Sequence, residues 1–543
     1  MKVSDAIAEI LRKEGVEIVI GYPVNHILER GAAAGIRPIV VRQERTGLHM
    51  ADAISRVTSA DKLGVFVMQH GPGTENAYGA VAQAFGDSVP VLVMPGGYAR
   101  QRAWVERNYN ASVQMRGVTK SAEPIVLPGE LANIMRRAFT RLRSGRGGPC
   151  LVEVPQDVWN EETDVSAYVP TRPLRSGPDP DAIREAAKML LAAKRPVIYA
   201  GQGVHWAKAW GELKALAELL AIPVTTSLQG KSAFPETHPL SLGSGGLAYP
   251  ATVHHFLKEA DLILGIGCSF TTTNYGVAMP KGKTIIHATL DATDVNKDVG
   301  CALAVLGDAK LTLSALIEEV SRTQKSPRDP SAVAKEIKDT YDPWLARWMP
   351  KLTHNDAPFS PYRVLWDLQN TVDIANTIIT HDAGSPRDQL SPFWRCTTPL
   401  SYIGWGKTTQ LGYGLGLAMG AKLAKPDKLC INVWGDAAIG FTGMDFETAV
   451  RERIPILSIL LNNFSMAIEL KVMPVSTEKY RSTDISGDYA AFARALGGYG
   501  ERVEKPADII PAIKRGIAKT QEGIPVLLEF ITSKETEVSR PGT

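Results

Sequence analysis

The sequence has no C-x-x-C pair, no apolar run long enough to cross a bilayer, and no large surplus of either charge. Its five cysteines, Cys150, Cys268, Cys301, Cys396 and Cys430, are odd in number and widely scattered. Four of them lie in or beside apolar, strand-like stretches, so they read as reduced, buried thiols and not as a disulfide framework. The longest apolar stretches, such as the one ending at Leu461, are strand-sized and fall well short of the ~20 residues that span a membrane. Sixty basic residues against 57 acidic ones leave a formal charge of +3, too small a surplus for a nucleic-acid footprint. A signal-peptide pattern is also missing. The chain opens on an amphipathic run with Ala6, Ile7, Ile10 and Leu11 on one face, where Ser4 is expected to cap a helix and Gly15 to end it. A cytoplasmic location is the resulting expectation.

The composition that remains is that of a globular protein: 44% apolar and 22% charged residues over 543 positions. At roughly 100–200 residues per domain this length allows three or four domains. Short β-branched runs alternate with helix-length amphipathic segments almost throughout, the pattern of parallel sheets covered on both faces. Strands are expected at 18–20, 38–41, 64–68, 91–94 and 151–154, then at 196–199, 223–226, 262–266, 284–287 and 302–305, and finally at 377–380, 429–433, 456–460 and 526–530. Polar or Pro-rich stretches at 155–180 and 321–330 separate the groups. The fold class is therefore α/β, with three doubly wound parallel-sheet domains over residues 1–160, 185–325 and 355–543, the first and third open to sharing one fold.

The most informative segment is Trp434-Gly-Asp-Ala-Ala-Ile-Gly440, which follows one expected strand and precedes a helix, a second strand and then Leu461-Asn-Asn463. One strand–helix–strand unit brings Asp436 and Asn463 to the carboxyl edge of adjacent parallel strands, where open α/β sheets bind ligands. A carboxylate, an amide oxygen and the Ser465 carbonyl form a hard-oxygen set suited to Mg²⁺, which fills its shell with water and phosphate oxygens. The small Ala437 and Ala438 leave room for a diphosphate at the following helix N-terminus.

That pattern resembles the Gly-Asp-Gly…Asn-Asn fingerprint of thiamin-diphosphate enzymes, with Ala437 where the family prefers Gly. The run from Gly412 to Ala424 resembles the family's Gly-rich helix, and Leu411, next to Gln410, matches the apolar residue that bends the cofactor into a V. Arg42-Gln-Glu-Arg-Thr-Gly-Leu-His-Met-Ala-Asp-Ala-Ile-Ser-Arg56 resembles the family's R-x-E followed by a Met-Ala-Asp helix. Glu44 then matches the carboxylate that bonds the aminopyrimidine and promotes loss of the thiazolium C2 proton. Gly71-Pro-Gly-Thr-Glu-Asn76 resembles the Gly-Pro-Gly-x-x-Asn turn, which places Gly73 and Asn76 at the pyrimidine. Further matches at Asp87–Val91, 200–204, 238–243 and 305–309 extend the likeness over roughly residues 3–535, with the acetolactate synthase large, catalytic subunit as the nearest branch.

The resemblance implies pyrimidine-binding, central Rossmann-like and diphosphate-binding domains, in that order. It also implies thiamin diphosphate and Mg²⁺ as cofactors and a homodimer or homotetramer with active sites between chains. The activity implied is that of a lyase or carboligase acting on a 2-oxo acid or 2-hydroxy ketone through a C2 ylid and an enamine. By the same alignment Asp382, Gly384, Gln410, Leu411, Gly435, Asp436, Ala437, Ala438, Asn463, Ser465, Met466, Ala467 and Ile468 line the diphosphate side. Glu44, His70, Gln69 and Asn25 are the catalytic candidates, and Ile468 and Val472 lie over the substrate. Arg387 is the candidate cationic clamp.

The departures fall on the substrate and flavin sides. Val24 and Asn25 stand where synthases have glycines, Gly97 where they have Gln, and Cys268–Thr273 lacks their Phe-Asp-Asp-Arg. FAD therefore stays open. A benzoylformate-type decarboxylase, a 2-hydroxyacyl-CoA lyase and a non-catalytic flavin- or nucleotide-binding protein on the same scaffold are the alternatives.

Overall fold

The computed structural model describes residues 1–404 and 406–542. Three six-stranded sheets follow one another along the chain, and all their strand pairings are parallel. The first holds β1 (Ile18–Gly21), β2 (Arg37–Val40), β3 (Gly64–Met68), β4 (Val91–Gly97), β5 (Ser121–Pro124) and β6 (Cys150–Pro155), in the order β2-β1-β3-β4-β6-β5. The second holds β7 (Pro196–Ala200), β8 (Val224–Ser227), β9 (Ser241–Gly245), β10 (Leu262–Ile266), β11 (Thr284–Thr289) and β12 (Leu303–Leu306), ordered β12-β11-β10-β7-β8-β9. The third holds β13 (Thr377–His381), β14 (Tyr402–Ile403), β15 (Leu429–Gly435), β16 (Leu457–Asn462), β17 (Tyr499–Val503) and β18 (Val526–Ile531), ordered β14-β13-β15-β16-β18-β17. The first and third orders are the same permutation, whereas the middle one is the dinucleotide-fold order 3-2-1-4-5-6 read from the other edge.

Four strands are additional to those expected from sequence: β5, β9, β14 and β17. Each is a sheet edge. Central strands such as β3 and β10 are buried along their whole length and read as continuous apolar runs. The edge strand Ser121–Pro124 is only half-buried throughout, and an edge needs no apolar run on both faces to be held. The first helix, α1 (Val3–Lys13), also departs from expectation. Its N-cap is Lys2 with no side-chain cap, and Ser4 is buried inside the first turn. Gly15 does follow the helix end, at φ +82°.

The first and third domains share one core. A single apolar cluster runs from Ile20, Phe66 and Val93 of the first sheet to Tyr413, Trp434 and Leu460 of the third. Its centre is the crossing of α3 (Glu44–Val57) with the glycine-rich helix Tyr413–Ala424. A Cβ at Gly420 would fall 2.1 Å from the Met50 carbonyl oxygen, and one at Gly416 would fall 2.6 Å from His49 Cβ. The missing side chains are what allow the two backbones to approach.

A buried ion network ties all three domains beside this crossing. The Arg56 guanidinium donates to Asp52 (2.5 Å), Asp87 (2.8 Å), the Tyr413 hydroxyl (2.7 Å) and the Gly404 carbonyl (3.1 Å). Gln229 of the central domain donates to the other Asp87 oxygen at 2.6 Å. Arg56→Ala leaves two buried carboxylates without their cation and is expected to cost about 3 kcal/mol, read as a lowered urea midpoint.

Candidate functional site

The order of the third sheet reverses between β13 and β15, and ligands of open α/β sheets bind at the carboxyl end of such a switch point. Asp436 follows β15 and opens the helix Asp436–Thr442, while Asn463 follows β16, whose Leu461 pairs with Gly435. The Asp436 carboxylate is a hub. One oxygen accepts from the backbone N–H of Asn463 (3.2 Å) and Ser465 (3.1 Å), and the other from that of Ala437 (2.9 Å). Burial pushes this carboxyl up from its ordinary value, and the backbone N–H bonds oppose that shift.

Phe464 turns the chain at φ +55°, and the fold thereby buries two oxygens, Asn463 Oδ1 and Ser465 Oγ, with no hydrogen-bond partner. A buried acceptor without a partner is costly, and a hard cation beside a carboxylate would satisfy the Asn463 oxygen. The Ser465 carbonyl, expected to be free, accepts from Ala467 N at 2.9 Å. That bond uses one of the carbonyl's two lone pairs, so the oxygens open to a cation are those of Asp436, Asn463 and Ser465, its hydroxyl and its carbonyl alike. Among the described residues no group of three His, Cys, Asp or Glu side chains is placed to hold a metal, so the oxygen set is the candidate cation site.

On the other side of the switch point, Asp382 follows β13. Its two oxygens accept from Gly412 N (2.9 Å), Gly414 N (2.9 Å) and Ala383 N (2.7 Å), which pins the turn into the glycine-rich helix. Burial pushes this carboxyl up to about 6. Gly412 at φ +85° and Gly384 at φ +82° hold backbone conformations that suit glycine. Gln410 Oε1 lies 2.9 Å from His49 Nε2 on α3, and Leu411 packs half-buried against the shared core. Ala437 is half-buried and Ala438 buried in the first turn of their helix, so the methyl in place of the family's glycine is accommodated. Met466 N donates to the Thr483 carbonyl at 2.8 Å, and Ala467 is buried after it. Ile468 stands 44% exposed, its Cδ1 3.7 Å from where a Gly384 Cβ would sit, while Val472 is 74% exposed.

In the first domain, Glu44 is the first residue of α3 and is 6% exposed. Its Oε2 accepts from Asn76 Nδ2 at 3.3 Å, and its Oε1 lies 3.4 Å from the Cβ position of Gly73 on α4 (Pro72–Gly86). A bare Gly73 thus leaves the carboxylate uncovered on that side. Gln69 and His70 are half-buried just past β3. Burial lowers the His70 imidazole from its ordinary value, which favours the neutral ring.

Two candidates are corrected. Asn25 caps α2 (His26–Ala33) through Ile27 N (3.0 Å) and donates both amide hydrogens to the Met68 (3.0 Å) and Met94 (3.1 Å) carbonyls. It ties the start of α2 to β3 and β4, and its amide is taken up by those bonds. Arg387 is 3% exposed, bound through two nitrogens to Asp388 (2.9 and 2.7 Å) and stacked 4.5 Å over the Tyr275 ring. It is a structural ion pair, not a clamp on solvent-borne anions.

Sequence reasoning missed Gln156 and Tyr98, which touch the His70 ring from two other strand ends. Neither belongs to a motif, and only the sheet order brings them to His70.

The middle sheet reverses between β7 and β10, and there a cleft of about 270 Å³ opens at Gly201, Gly267, Cys268, Phe270, Ser269 and Lys407. The Phe270 ring stacks 5.7 Å from Tyr199 and fills the concavity over Gly265. The cavity is smaller than the ~300–1,000 Å³ typical of ligand pockets. No FAD role is assigned to it.

Two of the three switch-point sheets carry buried carboxylates beside glycine turns at their strand ends, which marks a ligand-binding α/β protein. Comparison with known proteins narrows the class. Residues 1–113 match the thiamine pyrophosphate enzyme N-terminal TPP-binding domain, 183–316 the central domain and 382–530 the C-terminal TPP-binding domain. The chain is 30% identical over 561 aligned residues to a probable acetolactate synthase large subunit of Methanocaldococcus jannaschii, covering 98% of this chain and 92% of that one. It is 29% identical to the acetolactate synthase isozyme 3 large subunit of Escherichia coli K12, over 93% and 90% of the two chains. The crystal structure of benzoylformate decarboxylase from Polynucleobacter necessarius superposes with a TM-score of 0.83 at 21% identity, over 99% and 100% of the chains. The protein belongs to the thiamine pyrophosphate enzyme family, and is acetolactate synthase-like within it.

Proposed function

We propose that the protein is a thiamin-diphosphate- and Mg²⁺-dependent lyase or carboligase acting on a 2-oxo acid or a 2-hydroxy ketone. The observation that carries the metal half of this reading is the buried, partnerless Asn463 oxygen beside the Asp436 carboxylate. Asp436, Asn463 and Ser465 would hold Mg²⁺, and the metal would bind the diphosphate. When bound, thiamin diphosphate supplies a nucleophilic carbon able to make or break a bond next to a carbonyl.

The chain's own residues do the rest. Glu44, oriented by Asn76, shares a proton with the aminopyrimidine. The His70 imidazole exchanges a proton at the substrate oxygen, and Gln69 orients that substrate by hydrogen bonding.

Val24, Phe464, Ile468 and Val472 leave large apolar side chains exposed beside the two half-sites. Exposed apolar surface at a site marks an interaction face, which supports a homodimer or homotetramer whose sites lie between chains. Five unpaired cysteines support a cytoplasmic location. Among the described residues no helix is long and apolar enough to cross a membrane.

Calorimetry of thiamin diphosphate binding with Mg²⁺ and with EDTA tests the proposal. Chelation is expected to abolish binding. Asp436→Asn is expected to weaken it by more than about 100-fold, beyond the ~10–100-fold that outer-sphere changes cost. Binding that is indifferent to Mg²⁺ would overturn the metal assignment. Assays of CO₂ and aldehyde release from pyruvate and from aromatic 2-oxo acids, with and without an aldehyde acceptor, separate lyase from carboligase.

A further inference from the structure

His70 stands two residues beyond β3 and Gln156 one residue beyond β6, and these strands are not neighbours, since β4 lies between them. At ~4.8 Å per strand spacing the two strands are roughly 10 Å apart. Yet Gln156 Nε2 lies 3.1 Å from His70 Nδ1 and 3.3 Å from its Nε2. The reach is possible because β4 ends in Gly96 and Gly97. A Cβ at Gly96 would stand 3.5 Å from the His70 backbone nitrogen, and one at Gly97 would press to 2.9 Å against Glu153. The Gln156 backbone is itself fixed, its N–H donating to the Gly97 carbonyl at 3.0 Å. Tyr98, next along from β4, meets the imidazole edge-on, with centroids 4.9 Å apart and planes at 70°.

We propose that Gln156 is a positioning residue that reaches across β4 to hold the His70 imidazole against Tyr98, fixed in orientation and neutral. The proposal rests on the reading of His70 as the proton-exchanging group of the substrate pocket. Near-equal distances to both ring nitrogens put the amide against the ring face instead of along one lone pair. In that place it blocks rotation of the ring, and its N–H dipole disfavours a positive charge there.

Three carboxylates on the surrounding elements have partners of their own, while Glu75 and Tyr78 lie further along α4. Asp157 is paired with Arg100 at 2.7 Å, Glu153 accepts from Ser112 N at 2.9 Å, and Glu44 accepts from Asn76. Tyr98 meets the imidazole ring to ring, in a T-shaped pair.

The test is Gln156→Glu, which puts a carboxylate at the same reach, beside Gln156→Ala. Gln156 is exposed, so both variants are expected to fold. In NMR titrations of the cofactor-loaded protein without substrate, with the His70 signal assigned through His70→Gln, Gln156→Glu is expected to raise the His70 pKa by about one unit or more. The acid limb of the pH–rate profile is expected to move with it. Gln156→Ala is expected to lower kcat about tenfold while KM and the thiamin diphosphate Kd change by less than about twofold. A His70 titration in Gln156→Glu that coincides with the parent protein overturns the proposal, as does an unchanged kcat in Gln156→Ala. The titration needs no turnover. A protein that binds thiamin diphosphate but converts neither a 2-oxo acid nor a 2-hydroxy ketone would sink the functional reading and still leave the Gln156 contact decided.

Discussion

Glu44→Gln is expected to lower turnover by about a hundred- to ten-thousand-fold, the range that a lost general acid–base contributes, while folding and diphosphate binding persist. The side chain is nearly isosteric, and the exchange leaves one oxygen to accept from Asn76 Nδ2, the only side-chain hydrogen bond recorded for Glu44 among the described residues. The change removes a proton-sharing carboxyl and little else. No hydrogen bond among the described residues joins Glu44 to Asp436, Asn463 or Asp382, so the diphosphate half-site does not depend on it. Two measurements separate the roles: calorimetry for retained Mg²⁺-dependent thiamin diphosphate binding, and NMR exchange of the thiamin C2 proton. Exchange at the parent rate would show that Glu44 is not the proton-sharing group.

Acidification from pH 7 to pH 5 is expected to remove about 5 kcal/mol of stability net, chiefly because three histidines are buried neutral. Burial, reinforced by Arg45 and Arg56, pushes His49 down to about 3. Burial with Arg387 pushes His381 to about 3, and burial alone takes His205 to about 4. In the unfolded chain each titrates near 6.5. Below that value the unfolded state takes up protons that the native state cannot, so stability falls as pH drops from 6.5 towards 3. Each ring contributes about 2 kcal/mol of loss at pH 5.

Asp382 works in the opposite direction. Its folded pKa of about 6 lies above the unfolded 3.8, so the native state binds the extra proton between these values and recovers about 1 kcal/mol. Urea midpoints across pH 5–7 measure the net slope, and His49→Gln, which keeps a neutral polar group beside Gln410, is expected to flatten it. A midpoint that rises on acidification would contradict the assignment of neutral rings.

The sequence was most legible where burial is complete. Central strands such as β3 and β10 are buried on both faces, so each appears as a continuous apolar run, whereas the edges β5, β9 and β17 are broken by polar residues or glycine and β14 is two residues long. Asp436 and Asn463 were legible because one strand–helix–strand unit of fixed length brings them to adjacent strand ends. Glu44 and the Gly73 turn were legible by their likeness to a family. The Ser4 cap, the Asn25 amide and the Arg387 clamp were misread for a shared reason. Short-range pattern shows that a polar group is present but not which neighbour has already claimed its hydrogen bonds.

By itself, then, the chain determined three parallel α/β domains and the placing of Asp436 and Asn463 at adjacent strand ends. These features repeat over one strand–helix unit, and local chemistry suffices to place them. Only the tertiary structure decided that Arg56 locks three domains, that α3 and the glycine-rich helix share one core, and that Gln156 meets His70 across a bare strand. Those contacts join residues as distant in sequence as Met50 and Gly420, and sheet order, which no local pattern encodes, sets which strand ends become neighbours.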